Sequence, residues 1–321
     1  MKLLYILILN ILSLSLYAQV TEKDSLSNQR FLTLVNANRE QSYTTFGSGV
    51  GDLEPLLFEA RLSPSFYFTG LERKWALTLN PQVQMRMLNK NSFPIRNPSY
   101  RISINYYHGL ELWKHIFLRK ILYKNALWFA SLLHHSNGQE GSFYISDSTH
   151  EVNLQNGNFA TNYLEIGLSS YKTEVLNKKY YSIREFKTYV EYHPPKWSIR
   201  ELDGRYGYLR IFAKLGIIGS FKQGRHDKMN RFLQKSSLEL KGGWIFGGLN
   251  KNSEADIKAR LIVDVMYKYY PSWLDEIAFF LRFYRGQDYY NIYFVKHELT
   301  VVTFGITSNI MNFKKAVKVL N

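Results

Sequence analysis

The sequence predicts an all-β protein, namely a transmembrane antiparallel β-barrel of about 12 strands. Three observations support this fold class: a short apolar segment at the N-terminus, a series of long segments in which apolar and polar residues alternate, and an aromatic-rich composition without cysteine. The 321 residues include 24 Tyr and 21 Phe, and abundant aromatic residues fit an outer-membrane barrel.

The first predicted element is a secretory signal peptide over residues 1–18. It has a positive charge at Lys2, an uncharged apolar run from Leu3 to Leu16 and the small residue Ala18, which is the pattern of a cleavable export signal. An anchoring helix is the alternative, but the run is shorter than the ~20 residues that span a bilayer. No cysteine follows that could carry a lipoprotein anchor, so we expect the mature chain to be exported.

Residues 19–55 are polar and weakly patterned, and we interpret them as an N-terminal extension on the periplasmic side or at the cell surface. The barrel itself is predicted over residues 56–321. Its strand pattern is clearest after Trp75, where one residue in two is apolar for about a dozen positions, because successive side chains of a strand point to opposite faces. The predicted strands lie near residues 57–69, 74–88, 99–112, 125–136, 161–174, 180–193, 207–220, 237–248, 256–269, 277–287 and 297–308.

The length of these strands separates the barrel from a soluble secreted β-sandwich. Strands of soluble domains average about 5–6 residues, whereas a tilted strand needs about 9–11 residues to cross a bilayer. Lipid does not tolerate open strand edges, so membrane-spanning strands must close into a barrel. Eleven segments are visible, and single-chain bacterial barrels usually have an even number of strands, so we expect twelve.

The charge of the chain bears on its partners. A formal net charge of +15 suits either nucleic acid or an anionic membrane surface. The Lys and Arg residues are scattered and form no dense block, which disfavours a nucleic-acid partner. We therefore expect a multi-pass protein of the bacterial outer membrane that contacts lipid and binds no nucleic acid.

The stretch LLHHSNGQEG, residues 132–141, contains the candidate catalytic residues. His134 and Ser136 share an otherwise apolar strand face, which in a barrel points to lipid. Residues two apart on one face are separated by about 7 Å at Cα, within reach of an imidazole–hydroxyl hydrogen bond. Asn162 begins the apolar face of the next strand, and a hairpin would bring it beside His134.

Ser, His and Asn in a row have a known chemical use. Serine needs a base to take its proton, histidine is that base, and a third group fixes the orientation of the imidazole. A neutral third member also avoids placing a carboxylate against lipid. The alternative is that His134 and Ser136 are ordinary polar residues at the barrel rim, and the pattern alone leaves both interpretations open.

The segment His134–Gly138 resembles the H-x-S-N-G motif of the outer membrane phospholipase A family. The segment SFPIRNPSY, residues 92–100, is similar to the family's S-x-P-F-R-x-x-x-Y segment, and FYRGQDYYNIY, residues 283–293, is similar to its late Tyr-Asn-rich hairpin. The resemblance thus extends in order over most of the mature chain. In the first of these two segments the matching residues are Ser92, Pro94, Arg96 and Tyr100.

The resemblance implies a calcium-dependent phospholipase A1/A2, a homodimeric carboxylic ester hydrolase that cleaves acyl esters of phospholipids and lysophospholipids on the outer wall of a twelve-stranded barrel. It implies Ser136 as the nucleophile, His134 as the base, Asn162 as the orienting residue and Gly138 as an oxyanion donor. A non-enzymatic outer-membrane barrel, porin-like or structural, is the alternative, and a soluble secreted hydrolase is a third possibility.

The resemblance also implies a Ca²⁺ site. Its ligands would come from Gln139 and Asn158 after the motif, and from Phe93 in the segment before the third strand, which the family supplies from the partner subunit. Two positions depart from the family, which usually has Arg in place of Gln139 and Ser in place of Asn158. Three acidic residues of the same loop are alternative calcium ligands: Glu140, Asp147 and Glu151.

Overall fold

The protein is described by a computed structural model covering residues 22–308, apart from positions 71, 73, 93, 147, 149, 177–179, 220–235, 251, 272 and 275–276. The predicted signal peptide and the residues after 308 lie outside the described residues. No helix in the described ranges is both long and apolar enough to cross a membrane.

Fourteen strands and three α-helices form the described chain. The strands are β1 (Tyr43–Thr45), β2 (Val50–Gly51), β3 (Leu56–Leu62), β4 (Phe66–Gly70), β5 (Trp75–Leu88), β6 (Ser99–Leu110), β7 (Asn125–Ser136), β8 (Ala160–Leu176), β9 (Tyr180–Tyr192), β10 (Leu209–Gly219), β11 (Ser236–Phe246), β12 (Leu261–Tyr269), β13 (Ile277–Gly286) and β14 (Leu299–Ser308). The helices are α1 (Glu22–Ala37), α2 (Ile116–Ile121) and α3 (Ile257–Arg260).

The strands form one antiparallel sheet that closes on itself as a twelve-strand barrel. The closure is made by β1 and β2, which both pair with β14 in the register Tyr43↔Thr307 and Val50↔Val302. β1 also pairs with β3. β3 and β4 pair with successive parts of β5 and act as one interrupted wall strand. The predicted barrel class and strand number are therefore confirmed.

The wall strand that the sequence pattern did not reveal lies within residues 19–55. β1 and β2 have three and two residues, too few to show an alternation of apolar and polar side chains. The sheet therefore begins at Tyr43, and the segment predicted to be an extension contributes both to the wall and, through α1, to the interior.

The two faces of the wall are inverted relative to a soluble protein. Along β5 the polar residues are buried inside the barrel and the apolar ones are turned outward: Gln82 and Arg86 are buried, whereas Leu79 is 38% exposed. Apolar side chains facing outward match a lipid environment, and polar side chains facing inward can hydrogen-bond one another.

The barrel interior is filled by side chains. Arg86 is 1% exposed and forms ion pairs with Glu59 at 2.6 Å and Asp288 at 2.8 Å. From α1, the side chains of Phe31 and Leu34 are buried among wall residues of the main hydrophobic cluster. A polar cavity of about 280 Å³ remains between these layers.

Five connections of 10–23 residues lie at one end of the barrel, which we call the long-loop end. They comprise residues 89–98, 137–159, 193–208, 247–260 and 287–298. Several aromatic residues of these loops pack together, including Phe159, Tyr206 and Phe294, whose rings are 5.0–5.8 Å apart. This packing fixes the loops that surround the end of β7, where the candidate catalytic residues lie.

Candidate active site

The register of three neighbouring strands brings the candidate residues together on the outer wall. His134 on β7 is directly opposite Asn162 on β8 and Ile102 on β6, and Ser136 is opposite Ala160. Leu132, on the same face one position deeper, is 47% exposed. Residues 134, 136 and 162 therefore lie on the outward face of the barrel, as their alternation in the sequence predicted.

Asn162 holds the imidazole of His134. His134 Nδ1 lies 2.8 Å from Asn162 Oδ1, and Asn162 Nδ2 donates to the carbonyl oxygen of Trp197 at 2.9 Å. Because a carbonyl oxygen only accepts, the amide nitrogen of Asn162 must face Trp197 and its oxygen must face His134. Nδ1 of His134 then carries the proton, and Nε2 remains as the basic nitrogen.

Ser136 shares this face with His134 but makes no hydrogen bond to it in the part of the chain that the structure describes. Two residues along a strand correspond to about 7 Å between Cα atoms, a distance that two side chains can bridge. Nucleophile–base hydrogen bonds are often long in structures without substrate and tighten when substrate binds. The arrangement is therefore compatible with a Ser–His pair.

The turn after Ser136 is fixed by Asn137, which is fully buried. Its side-chain Nδ2 donates to the carbonyl of Gly157 at 2.7 Å, and its Oδ1 accepts from the N–H groups of Phe159 at 3.0 Å and Gln139 at 3.3 Å. One amide thus joins both ends of the loop between β7 and β8. The consequence is a defined chain direction next to the candidate nucleophile.

Gly138 has the backbone conformation that a glycine requires. Its φ of +64° lies in the left-handed region, and an added Cβ would lie 3.1 Å from the ring of Tyr100. Its N–H donates no hydrogen bond to the described residues, so it is open to an acceptor beside Ser136. This is the property expected of an oxyanion donor.

The three segments that carry the family resemblance meet at the long-loop end. His135 points into the barrel, and its Nε2 lies 2.8 Å from Ser99 Oγ and 3.0 Å from the Tyr290 carbonyl oxygen. Asn97 hydrogen-bonds the Gln155 carbonyl, and Asn291 Nδ2 donates to the Asn97 carbonyl at 3.0 Å. Segments that are far apart in sequence therefore support the inner side of the strand that carries His134 and Ser136.

A buried histidine lies beneath the loop that reaches Asn162. His193 Nδ1 lies 3.0 Å from Thr161 Oγ1, which also contacts Ser198 Oγ at 2.8 Å. Burial lowers the pKa of His193 well below its usual range, and the nearby Arg210 acts in the same direction. The neutral imidazole can then share this hydrogen bond, which holds the segment 194–199 against β8.

The candidate calcium ligands are only partly described. Phe93 lies outside the described residues, as does the alternative ligand Asp147, whereas Glu140 and Glu151 are exposed. Gln139 and Asn158 are brought close because the Asn137 side chain accepts from Gln139 N and from Phe159 N. Within the described residues, no three His, Asp or Glu side chains cluster as metal ligands.

The donors at this place fit calcium rather than a transition metal. The carbonyl of Gln139 and the side-chain amide of Asn158 are neutral oxygen donors, and Ca²⁺ takes six to eight oxygen ligands that include carbonyls and waters. Two protein oxygens from one chain leave most of such a shell to other donors. The chemistry of these two donors is therefore suitable, and within the described residues they leave the oxygen shell incomplete.

Sequence reasoning missed the segment 194–199 as part of the site. It lies about 35 residues after Asn162, and its Pro194–Pro195 pair indicates only a loop. Ile199 N donates to the Ala160 carbonyl at 3.0 Å, so the segment extends the sheet beside β8. With the wall it encloses an outward groove of about 640 Å³, lined by Ile102, Ile104, Leu132, Leu133, His134, Ala160, Asn162, Lys196, Trp197, Ser198 and Ile199.

Comparisons with known proteins identify the fold. No protein-family model matches the chain, and no curated protein matches it by sequence. Among solved structures, outer membrane phospholipase A from Escherichia coli is similar with a TM-score of 0.52 at 14% identity, over 87% of this chain and 99% of that one.

A second similar structure is the Salmonella typhi outer membrane phospholipase, solved as a dimer with bound calcium. It has a TM-score of 0.52 and 15% identity, over 85% of this chain and 91% of that one. The chain thus has an outer membrane phospholipase A-like fold, and its architecture is that of a bacterial outer-membrane β-barrel. At these identities the likeness concerns the fold alone.

Proposed function

We propose that this protein is a calcium-dependent phospholipase A that hydrolyses acyl esters of phospholipids and lysophospholipids with Ser136, His134 and Asn162. The observation that carries the proposal is the 2.8 Å contact between His134 Nδ1 and Asn162 Oδ1 on the lipid-facing wall. A passive barrel has no need of an oriented imidazole on its lipid-facing side. The similarity to phospholipase folds supports the same conclusion.

Each of the three residues has a separate role in the reaction. Asn162 keeps the proton of His134 on Nδ1, so Nε2 can take the proton of Ser136 while Oγ attacks the ester carbonyl. The same nitrogen returns the proton to the leaving alcohol as the acyl-serine forms. A water activated by His134 then releases the fatty acid and restores the serine.

The negative charge that develops on the carbonyl oxygen needs donors beside Ser136. The N–H of Gly138 is one candidate, because it follows Ser136 by two residues and donates no hydrogen bond within the described residues. Gln139 and Asn158, with Phe93 or other donors of a second subunit, would hold Ca²⁺, which when bound would supply positive charge to stabilise this oxygen. A homodimer would complete the oxygen shell that one chain leaves unfilled.

The alternative is a porin-like or structural barrel. The interior argues against a pore, because the Arg86–Glu59–Asp288 ion pairs and the buried side chains of α1 occupy it. A purely structural barrel would leave the His134–Asn162 contact and the groove without a role.

The test is fatty-acid release from phosphatidylcholine by the full-length protein refolded in nonionic micelles. We expect release with calcium and little release with chelator. Ser136→Ala should lower kcat at least about 1000-fold, because loss of a serine nucleophile removes the covalent route. Ser148→Ala, in the exposed part of the same loop, is the matched control and should retain activity. A folded wild type that releases no fatty acid under either condition would favour the passive barrel.

A further inference from the structure

The groove beside His134 is apolar at one end and polar at the other. Ile104 and Leu132 pair across β6 and β7 one position deeper than His134, further from the long-loop end, and they are 46% and 47% exposed. They form an apolar floor directed toward the middle of the bilayer. At the other end of the groove lies the segment Pro195–Trp197, which belongs to the long-loop end.

Lys196 is held at this polar end by a fixed backbone. The next residue, Trp197, accepts through its carbonyl from Asn162 at 2.9 Å, and its own N–H donates to Pro194 at 2.9 Å. Ser198 contacts Thr161 at 2.8 Å. Because the flanking residues are tied to β8 and to one another, the position of the Lys196 backbone beside the site is set by the fold.

The Lys196 side chain has no counter-charge within the described residues. It is exposed, and among the described residues that line the groove it alone carries a permanent charge. A long cationic side chain at a membrane interface places its ammonium at the level of the lipid phosphates. The exposed indole of Trp197, an amphipathic ring suited to the same interface, adjoins it.

We propose that Lys196 and the groove bind one glycerophospholipid, with an acyl chain on Ile104 and Leu132 and the phosphate paired with the Lys196 ammonium. This inference rests on the proposed function and specifies its substrate: an ester that carries a phosphate on the same glycerol. The phosphate lies toward the long-loop end and the acyl chain toward the bilayer centre, so the ester carbonyl between them is presented to Ser136. Lys196 is thus a specificity-determining residue and takes no part in proton transfer.

A comparison of two lipids with the same acyl chains tests this assignment through hydrolysis. Lys196→Gln should lower kcat/KM about fivefold for dioctanoyl-phosphatidylcholine, the upper end of what an exposed ion pair contributes. It should change kcat/KM for dioctanoylglycerol by less than about twofold. Lys196→Arg should restore most of the phospholipid activity, since it keeps the charge. Lys258→Gln removes an equal charge from the same end of the barrel but outside the groove. It should leave kcat/KM unchanged for both lipids.

A binding measurement separates this inference from the proposed catalysis. In a Ser136→Ala background, phosphatidylcholine with brominated chains should quench the fluorescence of Trp197, identified by its loss in Trp197→Phe. Lys196→Gln should raise the lipid concentration at half-maximal quenching, the midpoint, about fivefold for this lipid but not for brominated diacylglycerol. Unchanged midpoints, or equal changes for both lipids, would overturn the role of Lys196. If the wild type hydrolyses neither lipid, the proposed function fails, and the binding midpoints still decide the inference.

Discussion

At the residue scale, the orientation of one amide determines the chemistry of the site. Asn162 is placed opposite His134 by strand register, but register alone does not decide which end of the amide faces the imidazole. The Trp197 carbonyl decides it, because it can only accept a hydrogen bond. The proton position on His134 therefore depends on a loop that has no recognisable sequence signal.

Replacing Asn162 tests this dependence. Asn162→Ala should lower kcat on phospholipid about 100-fold, because the imidazole loses the acceptor that orients it and a misplacement of about 1 Å can have such an effect. The fold should persist, since residue 162 lies on the outer face. Fatty-acid release and heat-modifiable gel mobility measure the two properties. Asn89→Ala, exposed at the same end of the barrel, is the control, and full activity of Asn162→Ala would contradict the assigned role.

At the element scale, the connection between β7 and β8 sets the surroundings of Ser136. Asn137 is fully buried, donates one side-chain hydrogen bond and accepts two, and the next residue adopts a positive φ. These two features fix the direction of the chain next to the proposed oxyanion donor and the proposed calcium ligands. Within the H-x-S-N-G motif, Asn137 and Gly138 thus have conformational as well as chemical roles.

Asn137→Ala should therefore reduce both stability and activity. It leaves the Phe159 N–H and the Gly157 carbonyl without side-chain partners, which should lower the free energy of unfolding by about 2–3 kcal/mol. Urea unfolding in micelles followed by tryptophan fluorescence measures this change. Asn137→Asp provides the comparison: it keeps the acceptor for Phe159 and Gln139, but it turns a buried carboxylate oxygen toward the Gly157 carbonyl and should be destabilised at least as much. An Asn137→Ala protein with unchanged stability would show that the turn does not depend on this amide.

At the scale of the whole molecule, the barrel combines an apolar exterior with an interior of ion pairs. Arg86 joins Glu59, near the start of the sheet, to Asp288, in the last long loop, and its backbone N–H also donates to the Tyr290 hydroxyl at 3.1 Å. Tyr290 in turn contacts His135 through its carbonyl. One buried arginine thus connects β3 and the last long loop to the strand that carries the candidate triad.

Arg86→Met should be the most destabilising of the substitutions considered. It leaves two carboxylates buried without a counter-charge, and breaking a buried ion pair in this way typically costs about 3–5 kcal/mol. The expected result is a lower urea midpoint and, where the barrel still folds, reduced activity through displacement of the Tyr290 loop. Arg200→Met, at an exposed position of the same barrel end, should leave the midpoint unchanged. Equal midpoints for the two variants would show that the ion pairs do not hold the barrel closed.

The sequence by itself determined the barrel, its outward apolar face and the co-facial placement of His134, Ser136 and Asn162. A period of two residues is a local property, and lipid on one side makes it visible in every long strand. Only the tertiary structure revealed β1 and β2 as part of the wall, because strands of three and two residues have no readable period. It also decided the orientation of Asn162 and the position of Lys196, since both depend on contacts between segments about 35 residues apart in sequence. Such contacts follow from packing, which a local pattern does not encode.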